Sequence, residues 1–95
     1  MTSLGLDRYI IDVLMRDLVG HDHSTASFIV YLWLWAGTHG ADRSRIGASL
    51  QTIATATGLS KSGVQTALRN LTRRELIRAT RDGPTIAPSY QAIKL

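Results

Sequence analysis

Residues 49–77 read SLQTIATATGLSKSGVQTALRNLTRRELI. Two serines stand where helices can begin, and a glycine stands where one can end. Ser49 is a candidate N-cap, because a serine hydroxyl accepts from the free amides of a first helical turn. A helix over 50–57 then puts Leu50, Ile53, Ala54 and Thr57 on one inner face. Gly58 follows, and glycine ends a helix cheaply by adopting positive φ. Leu59 plugs the corner. Ser60 caps a second helix with a buried stripe of Val64, Ala67, Leu68 and Leu71. The spacing predicts a helix-turn-helix. Ala54 is small where the helices cross, Gly58 allows the sharp turn, and Val64 is apolar where it meets the first helix. Exposed positions on the second helix are Lys61, Ser62, Gln65, Thr66, Arg69, Asn70 and Arg73.

Downstream, Leu76 to Thr80 reads as a strand. Asp82-Gly83 is a hairpin turn signal. Pro84 and Pro88 make the return strand start irregularly, so Tyr90 to Lys94 is its expected paired part. Upstream, Ala41 to Gly47 is a loop carrying Arg43 and Arg45, and Ile46 to Ser49 can add a very short strand. At the N-terminus, Ile10, Val13, Leu14 and Leu18 fall at helical spacing, predicting an amphipathic helix over 6–19 that Gly20 ends.

Between these lies Phe28-Ile29-Val30-Tyr31-Leu32-Trp33-Leu34-Trp35-Ala36, nine apolar residues in a row. Periodicity cannot separate a buried strand from a buried helix here. The flanks decide: Ser24 to Ser27 suit a first turn, with Asp22 or Ser24 as cap, and Gly37 and Gly40 suit an exit. A helix over 24–38 is expected. Four of the six aromatic residues sit in it. A helix apolar all round must be covered all round, and a 95-residue chain has little left to cover it. The expectation is a homodimer, with Tyr31, Trp33 and Leu34 at the interface.

The length allows one domain, 1–95, with a modest core. Without cysteine there is neither a disulfide framework nor a thiolate metal site. No run reaches the ~18 apolar residues of a membrane span, and Met1 to Gly5 has no signal-peptide pattern. A cytoplasmic, nucleoid-associated protein away from membranes is expected. The net charge of +4 is unevenly spread. Residues 1–42 sum to −3 and residues 43–95 to +7, which points the second half at a polyanion.

The stretch Ser49-Leu50, Ile53-Ala54, Thr57-Gly58-Leu59-Ser60, Val64, Ala67-Leu68, Leu71 and Glu75-Leu76-Ile77 resembles the winged helix-turn-helix domains of bacterial and phage DNA-binding proteins. MarR-like and GntR-like regulators share this core. Phage replication proteins of the O type share an aromatic helix before it, here running into Trp35-Ala36-Gly37-Thr38-His39-Gly40. The resemblance covers about residues 24–93. It implies a mainly α fold with a small β-hairpin wing: a three-helix DNA-binding core plus an additional N-terminal helix. The helix-turn-helix would occupy 49–74 and the wing 76–94. Two features depart from it: Gly63 lies early in the second helix, and the wing is short of basic residues on its return strand.

The resemblance implies that the 60–74 helix enters the major groove of double-stranded DNA. By position, Lys61, Ser62, Gln65, Thr66 and Arg69 would read bases, and Gly63 would let the backbone approach closely. Arg43, Arg45, Ser49, Ser60, Arg73, Arg74, Arg78 and Arg81 would contact phosphates. The implied function is sequence-specific DNA binding by a prokaryotic or phage transcription regulator. The alternatives are an origin-binding replication module and a winged-helix module for protein partners. His21-Asp22-His23, with distant His39, is a weak metal pattern and reads better as a polar interhelical loop. No catalytic motif stands out, so neither an enzyme, a metal nor a cofactor is expected.

Overall fold

The computed structural model describes residues 4–41, 43–83 and 85–93. The fold is mainly helical with a small three-stranded antiparallel sheet. It begins with an N-terminal helix wound as π helix over Ile10–Leu14 and Arg16–His21. Helix α1 spans Thr25–Gly37, strand β1 Ile46–Gly47, α2 Leu50–Thr57 and α3 Lys61–Arg73. Strands β2, Ile77–Thr80, and β3, Ser89–Ala92, complete the order.

The three α-helices begin where serines cap them. Ser24, Ser49 and Ser60 accept from the amides of Ser27, Thr52 and Gly63 at 3.2, 3.1 and 3.0 Å. Gly58 ends α2 at φ 80°. Helix α3 ends differently. The Leu76 amide reaches back to the Leu71 carbonyl and the Glu75 amide to that of Thr72, a Schellman closure with Glu75 in the left-handed position at φ 58°. Glycine is the residue that usually holds this position.

The N-terminal helix departs from expectation. It runs through Gly20 to His21 and closes with His23 at φ 52°. Its turns are joined by bonds five residues apart, such as the Met15 amide to the Ile10 carbonyl. Ile10, Leu14 and Leu18 are buried, as the spacing predicts.

Central strand β3 pairs with both others: Ile46 faces Tyr90, and Ile77 faces Ala92. The return strand therefore starts at Ser89, one residue before the expected start. Pro84 and Lys94, which belong to the expected irregular start and end, lie outside the described residues.

The apolar helix α1 is the pillar of the core, and the chain itself covers it. Phe28, Val30, Tyr31, Leu34 and Trp35 are all buried among Ile10, Leu14, Leu18, Leu68, Leu71 and Ala92. The aromatic tips pin distant segments. Tyr31 Oη donates to the Ile93 carbonyl at 3.0 Å, and Trp35 Nε1 to that of Gly5 at 2.9 Å. His39 stacks on Trp35, ring centres 4.4 Å apart, and its Nε2 donates to the Ala92 carbonyl. Burial and the neighbouring Asp7 charge push the Tyr31 phenol up to about 12. At the helix end, a side chain on Gly37 would meet the tip of the Ile46 side chain, so β1 lies close against α1 there. The expected interface of Tyr31, Trp33 and Leu34 is thus corrected: Tyr31 and Leu34 belong to the interior, and Trp33 is half-buried against it.

Two turn positions test this backbone reading. Glu75→Gly should stabilise the fold by about 0.5–1 kcal/mol, because it relieves a left-handed L-residue. Gly58→Ala should cost about 1 kcal/mol or more. Urea unfolding measures both, and a Glu75→Gly protein no more stable than the parent would contradict the assignment.

Candidate nucleic-acid interface

Helix α3 divides cleanly. Val64, Ala67, Leu68 and Leu71 are buried, whereas Lys61, Ser62, Gln65, Thr66 and Arg69 are all exposed. These five lie on successive turns over the first nine of the helix's 13 residues, beginning at the end opened by the Ser60 cap. No carboxylate occurs from residue 43 to residue 74, so no side chain of α2 or α3 opposes a polyanion. Arg69 has no ion-pair partner among the described residues.

Gln65 and Arg69 face the tip of the hairpin across a cleft of about 560 Å³. Ser49 and Arg81 also line this cleft, and Tyr90 with Leu68 contributes to its apolar side. Burial raises the Tyr90 phenol above its usual value, and the Arg81 charge pulls the other way. The cleft is open, and Ser49, Gln65, Arg69 and Arg81 reach it from the start of α2, the middle of α3 and the residue after β2. One element could not assemble them. The Ala48 amide bonded to the Pro88 carbonyl at 3.1 Å holds the start of α2 to the hairpin.

Gly63 gains a local reason. A side chain there would press on the Ser60 hydroxyl at 3.1 Å, the oxygen that caps α3 through the Gly63 amide. The small residue keeps the cap uncrowded.

The basic residues expected to meet phosphates separate into groups. Ser49 and Arg81 line the cleft, and Ser60 is exposed at the start of α3. Arg43 and Arg45 are exposed in the loop leading to β1. Arg73 is exposed and donates to Asn70 Oδ1. Arg78 lines a different hollow, with Thr72, Glu75, Ile77 and Ile93, and is not brought to the cleft.

Arg74 requires correction. It is three-quarters buried and reaches Asp22 at 3.5 Å and Asp17 at 3.7 Å. Its charge holds the N-terminal helix to the end of α3. Asn70 works beside it, donating to Asp22 Oδ2 and Ser27 Oγ, each at 3.1 Å. The other Asp22 oxygen meets His21 Nδ1 at 3.1 Å. The His21-Asp22 pair is therefore a structural joint, and no group of three metal-ligating side chains occurs among the described residues. Spacing on α3 marked Asn70 as merely exposed, since its partners lie 48 and 43 positions away.

The His21 hydrogen bond, then those of Asn70 and the Arg74 charge, hold the Asp22 carboxyl below its ordinary 3.8, against the opposing effect of burial. The sign follows from linkage. A carboxyl with a lowered folded pKa stabilises the fold above the unfolded value, and that stability drains away as the pH falls through the folded one. No known family model, curated protein or solved structure matches the chain.

Asp22→Ala should cost about 2 kcal/mol by stripping Asn70 and Arg74 of a largely buried charged partner. It should also flatten the loss of stability below pH 3.8. Denaturant midpoints between neutral pH and about pH 2.5 read both effects; an unchanged acid limb would contradict the joint.

Proposed function

We propose that this chain is a winged helix-turn-helix domain that binds double-stranded DNA sequence-specifically. Helix α3 enters the major groove and the β2–β3 hairpin acts as the wing. Transcription regulation in a prokaryotic or phage setting is the role this reading fits best. The observation that carries it is the exposed face of α3 from Lys61 to Arg69. It offers two cations and three neutral hydrogen-bonding side chains, with no carboxylate and no apolar residue.

Each side chain suits a base or a phosphate. Gln65 can bond bidentately to adenine, and Arg69 or Lys61 to the N7 and O6 of guanine. Ser62 and Thr66 are short enough to serve either an edge or a phosphate oxygen. Arg81, across the cleft from Arg69, suits a backbone phosphate flanking the groove. The free amides at the start of α3 add a positive helix end. Arg43 and Arg45 can meet the backbone farther out. Arg74 is assigned no DNA contact, because Asp17 and Asp22 already occupy it.

Electrophoretic mobility shifts on random and selected duplexes test the reading. With about four phosphate contacts, affinity should fall about 100-fold between 50 and 200 mM salt. Arg69→Ala should lose about 1–3 kcal/mol of discrimination among sequences. Arg81→Ala should weaken all duplexes alike. Arg74→Ala should lower the melting temperature while leaving discrimination intact. Absence of any duplex binding at low salt would overturn the function, and equal loss of discrimination from Arg69→Ala and Arg81→Ala would overturn the division of roles.

A further inference from the structure

One exposed large apolar residue stands apart from the others. Among the described residues there are seven, and six of them fall between positions 4 and 19. The seventh, Ile86, is the most exposed of all at 54% and belongs to the β2–β3 hairpin. It lines the cleft that Gln65, Arg69 and Arg81 share. Its amide donates to the Gly83 carbonyl at 3.3 Å. Its side chain lies over Gly83, where an added Cβ would meet Ile86 Cδ1 at 3.4 Å. The turn therefore holds an apolar side chain at the surface, over the same cleft as the polar side chains of α3.

The hairpin's return segment offers no charge to that cleft. Residues 83–93 contain neither an acid nor a base, and Thr85, Ile86 and Ala87 line the cleft from this side. A phosphate gains nothing from Ile86. The base edges of the major groove present one apolar group, the C5-methyl of thymine. That methyl shares its groove edge with the adenine N6 and N7 that suit Gln65. We propose that Ile86 is a specificity-determining residue that packs on the thymine methyl of the A·T pair whose adenine Gln65 reads. The inference rests on the DNA-binding reading and adds to it a base preference supplied from the hairpin.

Two walls of the cleft then share one base pair. Gln65 approaches from α3 with hydrogen bonds for the purine, and Ile86 approaches from the hairpin with an apolar surface for the pyrimidine. A G·C pair carries no methyl at the corresponding position, and it offers the guanine O6 acceptor where adenine offers its N6 donor. A reversed T·A pair puts the methyl at Gln65 and the adenine edge at Ile86, so orientation is read as well. Removing one methyl from water is worth about fourfold in affinity.

Replacing thymine by uracil tests this, because it deletes the methyl and leaves base pairing intact. A duplex enriched from a random pool by the parent protein is titrated by fluorescence anisotropy, with each thymine in turn replaced by uracil. One replacement should weaken the parent about fourfold. Ile86→Ala should bind that duplex and its thymine original equally, while keeping the parent's circular dichroism and melting curve, because Ile86 lies at the surface. Ile86→Val, which keeps a branched apolar side chain, should keep the response to uracil. Gln65→Ala should relax the choice of adenine at the same pair. A parent indifferent to every uracil, or an Ile86→Ala protein as sensitive as the parent, overturns the inference while duplex binding stands. Ile86→Ala weakening every duplex alike, with the uracil response retained, overturns it in favour of a sugar contact. Absence of duplex binding at low salt overturns the DNA reading itself, and the inference with it.

Discussion

A helix that is apolar on every side leaves a small protein few choices. Thr25–Gly37 carries Phe28, Tyr31, Trp33 and Trp35 together with aliphatic residues, and water is an unfavourable neighbour for all of them. The rest of the chain is arranged around this constraint. The N-terminal helix takes one side with Ile10, Leu14 and Leu18, α3 takes another with Leu68 and Leu71, and β3 supplies Ala92. The polar tips of Tyr31 and Trp35 then fasten the ends of the chain to the pillar. What sequence patterning reads as surplus apolar surface is consumed internally, because residues 4–6 and the sheet reach farther round the helix than composition implies.

The same packing positions the candidate site. Helix α3 lies with its apolar stripe against α1 and its polar face from Lys61 to Arg69 outward. The joint at its far end, Asp22 with Asn70 and Arg74, fixes it to the N-terminal helix. Most of the exposed cations of the basic second half remain available to a polyanion, while the acidic first half spends Asp17 and Asp22 on Arg74. The uneven charge therefore has two components. Part of it is internal pairing between the halves, and part is an uncompensated surface.

The local signals were legible in sequence because they are set by neighbouring residues. Ser49, Gly58 and Ser60 mark the bounds of α2 and the start of α3 through bonds spanning three or four positions. The buried stripe of α3 follows from its periodicity. Gly20 misled, since glycine permits a helix end without requiring one. Winding as π helix left no mark, because apolar residues every four positions suit either pitch. Arg74 could not be told from Arg73 by spacing: one turns toward carboxylates more than fifty positions earlier in the chain, and the other does not. Spacing is equally blind to the settings of Asn70, Tyr31 and Leu34, whose surroundings come from distant segments.

The account rests on α3 from Lys61 to Arg69 and the hairpin tip forming one DNA-facing surface. Amide chemical shifts of the labelled protein, followed while a duplex enriched from a random pool is added, test this most directly. The account predicts shifts concentrated over residues 60–69 and in the hairpin around Arg81, with little change over residues 10–19. Shifts confined to the N-terminal helix, or none at saturating duplex in low salt, would contradict it.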